Sequence, residues 1–388
     1  MTGRVRRPFT KAVLGAAGLT GLAACSTSAP GATTPTHSTG STGTFLSSLQ
    51  KPRQIASTVP GNGDINPYGI VVVPTTVGSL VQGSTLVSNF NDKTNTQGTG
   101  TTIVEVSPTG AVSTFARLTT LPASEPCPGG IGLTTGLAVL PGGWVVVGSL
   151  PAGPGGVLPT ENPAGCIIVL DSSGTPVETW TNVNINGPWD MTMTSSGSGA
   201  EIFVSNVLSR PVGTMATPPS GLCAVVRIDV TLSAGSPPKM TGSTVVGTGF
   251  PWRASKAAFI EGPTGLALGR GGTLYVAETV GSVITAIPDA AARTDAVTFG
   301  TGTLTSGGAL RGPLGLTSVP DGDVIAVNGG DGRAVEITPQ GRQVTTVTLI
   351  PNGAGDLFGL TPTASGNGLL FVNDGTNAVD LVTTREGA

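Results

Sequence analysis

The chain has a single histidine, His37, among its 388 residues. This scarcity excludes a His-dependent catalytic triad, a His-rich zinc site and haem ligation by histidine in the folded part. Charged residues make up only 11% of the chain, against about a quarter in a typical soluble protein. Beyond the first eleven residues there is no cluster of Lys and Arg. We therefore expect no nucleic-acid binding, which depends on many phosphate contacts.

The sequence also lacks a hydrophobic run long enough to span a bilayer. The apolar stretch 12–24 is too short, but it follows the basic residues Arg4, Arg6, Arg7 and Lys11. It ends in Leu-Ala-Ala-Cys at 22–25, which resembles a bacterial lipobox. The resemblance predicts that residues 1–24 are a signal peptide and that Cys25 is lipidated. The Arg pair also resembles a twin-arginine signal, so both export routes stay open.

Residues 25–52 begin with the lipidated cysteine and continue in Ser, Thr, Gly and Pro. Such a composition predicts a flexible tether. His37 lies in this segment, where a solvated side chain is expected. No internal charge run or second composition change follows, so we predict one folded domain over 53–388.

From residue 60 onward the chain consists of short runs of Val, Ile, Leu and Thr between Gly/Pro turns, with no helical periodicity. One unit recurs, with a Gly or Asp immediately before an apolar residue. Its six instances are 66–70, 134–137, 187–191, 262–266, 312–316 and 356–360. Each unit is followed by further predicted strands, and four-stranded repeats of this size are typical of propeller blades.

The last predicted blade has only three strands, 357–362, 369–373 and 378–384. A spare strand, 54–59, stands just after the tether. We predict that it completes blade six, which removes two free sheet edges. The fold class is therefore all-β, a six-bladed β-propeller whose N-terminal strand closes the last blade.

These repeats resemble the NHL-repeat and gluconolactonase-like six-bladed propellers. The resemblance covers roughly residues 53–388 and rests on blade periodicity, so it implies a fold more than a function. In gluconolactonase-like enzymes a Glu, Asn and Asp group near the channel holds a divalent cation, which polarises a lactone and activates water. The resemblance implies Glu278, Asp190, Asn206 and Asn328 as the matching ligands, with Ca²⁺ or another divalent cation as cofactor. The alternative is that these side chains cap strand-to-loop turns.

The long loops 119–132, 149–165, 207–222 and 250–261 are expected on one face, which we call the loop face. Uneven decoration of one face is typical of a binding surface, although neutral loop growth gives the same pattern. Trp252 and Arg253 lie in the last loop and are candidate ligand-face residues, with gap filling as the alternative for Trp252.

Three further cysteines, Cys127, Cys166 and Cys223, map to the loop face. In an exported protein we expect one pair to oxidise. Cys127 with Cys166 is favoured because the two bracket blade two, and Cys166 with Cys223 is the alternative. A catalytic cysteine is not expected, because no histidine in the folded part could activate it.

The sequence supports two functions. The first is a lipid-anchored binding or scaffolding module for a protein or carbohydrate of the cell envelope. The alternative is a divalent-cation-dependent lactonase-like hydrolase at the channel mouth. In either case we expect a monomer outside the cytoplasm, on the outer face of the cytoplasmic membrane or in an outer membrane.

Overall fold

The computed structural model describes residues 43–122, 126–132, 136–152, 155–156, 164–208, 223–255 and 259–385. Cys25 and the predicted signal peptide lie outside these residues. Within them, the helical turns are short 3-10 segments at Leu46–Ser48, Arg270–Gly272 and Asp374–Thr376. None of the described residues belongs to a helix that is long and apolar enough to cross a membrane.

Six antiparallel sheets form the six blades, and the all-β propeller prediction is confirmed. From the innermost strand outward, blade one consists of Ile65–Val72, Thr85–Asn91, Thr102–Val106 and Val112–Arg117. Blade two consists of Leu137–Leu140, Trp144–Ser149, Cys166–Leu170 and Pro176–Trp180. Blade three consists of Pro188–Ser196, Gly199–Asn206, Cys223–Ser233 and Ser236–Phe250. Blade four consists of Pro263–Leu268, Leu274–Glu278, Val283–Ile287 and Thr303–Ser306. Blade five consists of Pro313–Ser318, Val324–Asn328, Arg333–Ile337 and Gln343–Thr348. Blade six consists of Leu357–Pro362, Gly368–Asn373, Ala378–Thr383 and Arg53–Ser57.

Blade six closes the ring as predicted, with a small difference in bounds. The closing strand is Arg53–Ser57, and it pairs antiparallel with Ala378–Thr383. The closing strand thus covers the edge that Ala378–Thr383 would otherwise leave unpaired.

In blade three the sequence predicts a third strand at 224–230. The structure extends this strand and adds a fourth that the pattern does not delimit. Cys223–Ser233 and Ser236–Phe250 form a long hairpin, and the short strand Val297–Thr298 adds to its outer edge in parallel. A second small hairpin, Arg253–Ser255 with Phe259–Glu261, leads into blade four. The first hairpin turns at residues 234–235, which carry little apolar periodicity.

The hydrophobic core lies between neighbouring blades rather than within one sheet. Ile103 of blade one packs with Val147 of blade two, and Ile325 of blade five packs with Phe371 of blade six. Each of these side chains is fully buried. Branched and aromatic side chains suit this packing because strands expose alternate residues to the two adjacent blades.

The folded body begins earlier than the predicted boundary at residue 53. Leu46 is 1% exposed and packs between blades five and six. The carboxylate of Glu336 accepts the backbone N–H groups of Phe45 at 2.9 Å and Leu46 at 2.8 Å. The predicted tether therefore overlaps the fold at residues 44–49, because Phe45 and Leu46 supply apolar side chains that a solvated linker would lack.

We expect Leu46→Ala to lower the free energy of unfolding by about 3 kcal/mol, because it empties a buried site between two blades. Urea unfolding followed by tryptophan fluorescence measures this. Ser47→Ala, at an exposed position of the same turn, is the matched control and should change stability by less than about 0.5 kcal/mol. If Leu46→Ala changed the free energy of unfolding as little as Ser47→Ala, residues 44–49 would add nothing to the stability of the fold.

Candidate functional site

The central channel is closed at the loop face by a plug of large apolar side chains. Tyr68 of blade one stands at its centre, with ring centroids 4.3 Å from Phe358, 4.9 Å from Phe90 and 5.2 Å from Trp189. Because Trp189 belongs to blade three and Phe358 to blade six, these contacts cross the axis. Leu314 joins the same cluster. The channel mouth is therefore a packed core and not an open cleft.

The hairpin that leads into blade four covers the plug. Phe259 packs edge-on against Phe90 at 6.3 Å, and its neighbour Ile260 is fully buried in the same cluster. Phe259 has a φ of +62°, a strained conformation for an aromatic residue. The strain is consistent with tertiary packing holding this side chain over the channel.

The second strands of blades three and five end in asparagine side chains near the channel mouth, and these side chains hold loops. The amide oxygen of Asn206 accepts the N–H groups of Asn186 and Gly187, at 3.1 and 3.3 Å. In blade five, Asn328 accepts the N–H of Arg311 at 3.0 Å. Each bond ties the end of a second strand to the loop that precedes its own blade. Asn206 and Asn328 thus act as caps of strand-to-loop turns.

Glu278 occupies the equivalent position in blade four and is fully buried. Its two carboxylate oxygens accept the N–H groups of Val280, at 2.8 Å, and Gly281, at 2.6 Å. Burial raises the pKa of Glu278 to about 7, while these two hydrogen bonds and the charge of Arg253 act against the rise. Its proton can therefore exchange near neutral pH, although both oxygens are engaged locally.

Asp190 lies on the innermost strand of blade three, and its carboxylate faces the next blade. It accepts the N–H of Leu266 at 2.9 Å. Burial raises the pKa of Asp190 to about 7. Asp190, Glu278, Asn206 and Asn328 are thus engaged in four separate sets of contacts, and the structure shows no shared ligand arrangement for them among the described residues.

The loop face is held by covalent and ionic contacts. Cys127 and Cys166 form a disulfide, with their Cα atoms 5.5 Å apart, and the loop beside it donates from Gly129 N to Ala164 O at 3.0 Å. This is the pairing favoured from the sequence, and it is typical of an oxidising, extracytoplasmic environment. Cys223 is a free, buried thiol. Burial raises its pKa, which makes the thiolate nucleophile scarce.

We expect that replacing both Cys127 and Cys166 with Ala lowers the free energy of unfolding by about 2–4 kcal/mol, because the bridge constrains a 39-residue separation in the unfolded chain. Urea unfolding of the oxidised protein and the double variant measures this. Cys223→Ala is the control, since it leaves the bridge intact. Mass spectrometry of the unreduced protein that finds Cys127 and Cys166 both as free thiols would contradict the assignment.

Trp252 and Arg253 are both placed on the loop face, but neither is free. Trp252 is partly buried and packs against the plug and the blade-four core. The Nε and Nη2 atoms of Arg253 both lie 2.6 Å from Oε2 of Glu261. The arginine remains half exposed, so it presents charge at the surface while Trp252 fills a gap between blades.

The acidic residues that do lie close together are on the opposite face of the propeller. Oxygens of Asp321, Asp323 and Glu336 lie within 4.8 Å of one another, a donor set that suits a divalent cation. Both oxygens of Glu336, however, already accept N–H groups of the N-terminal segment. The sequence analysis did not single out these residues, because they come from a turn and a third strand far from the loop face.

No protein-family model matches the chain, and no curated protein matches it either. Similarity is found among solved structures. A candidate gluconolactonase is 16% identical, with a TM-score of 0.53, over 88% of this chain and 95% of its own. The aldose sugar dehydrogenase of Streptomyces coelicolor in its PQQ-bound form is 15% identical, with a TM-score of 0.51, over 87% and 98%. The calcium-binding protein regucalcin of Agrobacterium tumefaciens is 11% identical, with a TM-score of 0.51, over 84% and 94%.

The chain shares their fold. Six-bladed propellers of gluconolactonase-like type are thus its structural neighbours, as the repeat pattern implied. Identities this low carry no residue roles from one chain to another.

The plug is the feature that the sequence analysis missed. Tyr68 and Trp189 stand at equivalent positions of two repeat units, but the repeats alone do not predict that they form one cluster with Leu314 and Phe358. The available signal is a large apolar residue directly before the Gly or Asp in four of the six units. A polar ligand set at those positions would have indicated an open channel mouth.

Proposed function

We propose that the protein is an exported propeller, lipid-anchored at Cys25, that binds a protein or carbohydrate partner of the cell envelope through its loop face. One observation carries this proposal: the aromatic plug fills the channel directly beneath the loop face. A partner then meets a broad surface of loops and not a solvent-filled reaction site. Surface recognition by loops on a rigid scaffold is a common use of such folds.

The rigidity of this face supports the same function. The Cys127–Cys166 disulfide and the ion pair of Arg253 with Glu261 hold two of its loops before any partner arrives. Pre-ordered loops lose less conformational entropy on binding. The disulfide also supports an extracytoplasmic location, which agrees with the signal peptide and lipobox expected from the sequence.

A divalent-cation-dependent lactonase-like hydrolase around Glu278 is the second candidate. The comparisons favour it over the first, because two of the similar structures are a candidate gluconolactonase and a calcium-binding regucalcin. The raised pKa of Glu278, about 7, suits proton transfer near neutral pH. Its engaged oxygens and the covered channel mouth argue for the binding module.

Two measurements on the purified protein separate these candidates. The first is binding to an array of bacterial envelope polysaccharides and peptidoglycan fragments. We expect Arg253→Ala to weaken capture at least tenfold, while Arg342→Ala, an exposed arginine on the opposite face, leaves it unchanged. Equal loss in both variants, or capture that does not depend on Arg253, would contradict recognition by this part of the loop face.

The second measurement is hydrolysis of aldonolactones after chelation and re-addition of Ca²⁺, Mn²⁺ or Zn²⁺. Cation-dependent turnover that Glu278→Gln abolishes would establish the hydrolase and displace the binding module. No turnover with any of these cations removes the second candidate.

A further inference from the structure

The innermost strands meet in a narrow ring below the plug. At the same point of each repeat five blades carry glycine, namely Gly69, Gly136, Gly265, Gly315 and Gly359, and blade three carries Asp190. Pairing registers shift at this point in five of the inner strands, as between Pro188 and Met191 or between Pro263 and Leu266. The ring is thus built from repeated β-bulges, which bend a strand and re-aim its backbone.

Neighbouring inner strands approach so closely in this ring that a side chain would collide with main chain. A Cβ atom on Gly265 would lie 2.3 Å from the carbonyl oxygen of Leu314, and one on Gly359 would lie 2.4 Å from that of Tyr68. Glycine is required there because of this approach. Asp190 breaks the pattern, since it places a carboxylate where the other blades have none.

Asp190 lines two cavities. One, of about 40 Å³, lies between the ring and the plug and is also lined by Tyr68 and Trp189. The other, of about 200 Å³, extends along the inner strands away from the plug, past Val72, Met193 and Thr361. The larger cavity therefore gives access to the ring from the face opposite the plug.

Charge around Asp190 is uncompensated. Among the residues that line these cavities no Lys, Arg or second carboxylate occurs, and Tyr68 is the only other titratable side chain. The N–H groups of Leu266 and Met191 reach the carboxylate, but neither carries a full positive charge. Asp190 is partly buried, and a carboxylate withdrawn from water without a counter-ion is costly. Burial accordingly raises its pKa to about 7.

The inner strands offer main-chain oxygens beside the channel. Each inner strand is the terminal strand of its sheet, so one of its edges has no pairing partner and faces the channel. Carbonyl oxygens on such an edge, together with a carboxylate, are suitable ligands for a small cation. A single carboxylate neutralises one positive charge, whereas divalent ions in proteins are commonly held by several carboxylates.

We propose that Asp190 and the inner-strand ring form a binding site for one singly charged cation, either a monovalent metal ion or the ammonium head of a small amine. The site is reached from the face opposite the plug, and it is independent of the function proposed for the loop face. Loss of the loop-face function would leave it untouched.

The test is a carboxyl titration of the purified protein by ¹³C NMR, with Asp190 assigned from the spectrum of Asp190→Asn. Tetramethylammonium chloride, a bulky cation without N–H donors, keeps the ionic strength constant. K⁺, ammonium, methylammonium and Ca²⁺ are the added probes. A cation that binds the ionised carboxylate lowers its titration midpoint, and at about ten times Kd the fall is about one pH unit.

We expect K⁺, or ammonium and methylammonium, to lower the midpoint by about one pH unit in a saturable manner. An effect of K⁺ assigns the site to a metal ion, and an effect of the two amines without K⁺ assigns it to an N–H-bearing head group. No change with any monovalent probe overturns the proposal, and so does a larger change with Ca²⁺. Asp171→Asn, which alters an exposed turn carboxylate, is the control and should leave the Asp190 midpoint unchanged. The wild-type titration decides the question even if Asp190→Asn folds poorly.

Discussion

Asp190→Asn should make the protein more stable at pH 8 than the wild type and equally stable near pH 4. In the folded protein burial raises the pKa of Asp190 to about 7, whereas an aspartate in the unfolded chain titrates near about 3.9. The folded state therefore binds a proton that the unfolded state has released between these two values. Stability that depends on this proton is complete below about pH 4 and is lost as the pH rises to about 7.

The difference between the folded and unfolded pKa of Asp190 corresponds to a loss of about 4 kcal/mol in the free energy of unfolding between pH 4 and pH 7. Water in the channel reduces this loss to roughly 2–4 kcal/mol. Asparagine can still accept the N–H of Leu266 but never ionises, so it avoids the loss. The measurement is the urea midpoint of both proteins at intervals from pH 4 to pH 8.5. The difference between the proteins isolates Asp190, because burial also raises the pKa of Glu278 to about 7 and that of Asp374 to about 6.

Asp171→Asn is a control for which the effect on stability should change with pH in the opposite direction. Burial alone would raise the pKa of Asp171, but hydrogen bonds from Ser173 and Thr175 together outweigh it and lower the pKa. Its replacement should cost stability at neutral pH and cost less as the pH falls below 4. A difference between wild type and Asp190→Asn that stays constant with pH would contradict an uncompensated carboxylate at the ring.

The propeller and its closure could be predicted because both depend on local patterns. Glycine and proline mark where each innermost strand begins. Because blade six lacks a fourth strand of its own, the spare strand near residue 55 is predicted to complete it. The Cys127–Cys166 pairing followed from the same blade assignment. These features need only short-range periodicity together with the rule that sheet edges are avoided.

The site could not be predicted to the same degree, because it depends on contacts between distant repeats. Asn206 and Asn328 have the right chemistry for metal ligands, but each amide is used by the backbone of the loop beside it. The resemblance implies that Asp190 lies near the channel, but its separation from the contacts of Glu278 depends on where the bulge between Pro188 and Met191 places it. Similarly, Leu46 resembles part of a linker until its pocket between two blades is known.

Tyr68→Ala should be the most destabilising single change at the channel mouth, and Tyr68→Phe should cost little or nothing. Tyr68 is 4% exposed and contacts three aromatic rings from different parts of the propeller. Removing its ring leaves a cavity at the point where blades one, three and six meet, which costs about 3–5 kcal/mol. The hydroxyl makes no hydrogen bond with the described residues, so phenylalanine keeps the packing and removes a buried polar atom.

The pair of variants distinguishes a structural plug from a reactive group. Burial, with the nearby charges of Asp374 and Glu261, raises the pKa of Tyr68 well above its usual value, so at neutral pH the phenol is a neutral, buried side chain. Urea unfolding gives the stability of both variants, and the capture and lactone assays give their function. If the plug only fills the channel, Tyr68→Phe retains full function and stability, while Tyr68→Ala loses stability first. Loss of function in a stable Tyr68→Phe protein would instead place the hydroxyl at a reaction or binding centre, because phenylalanine differs from tyrosine here only in that atom.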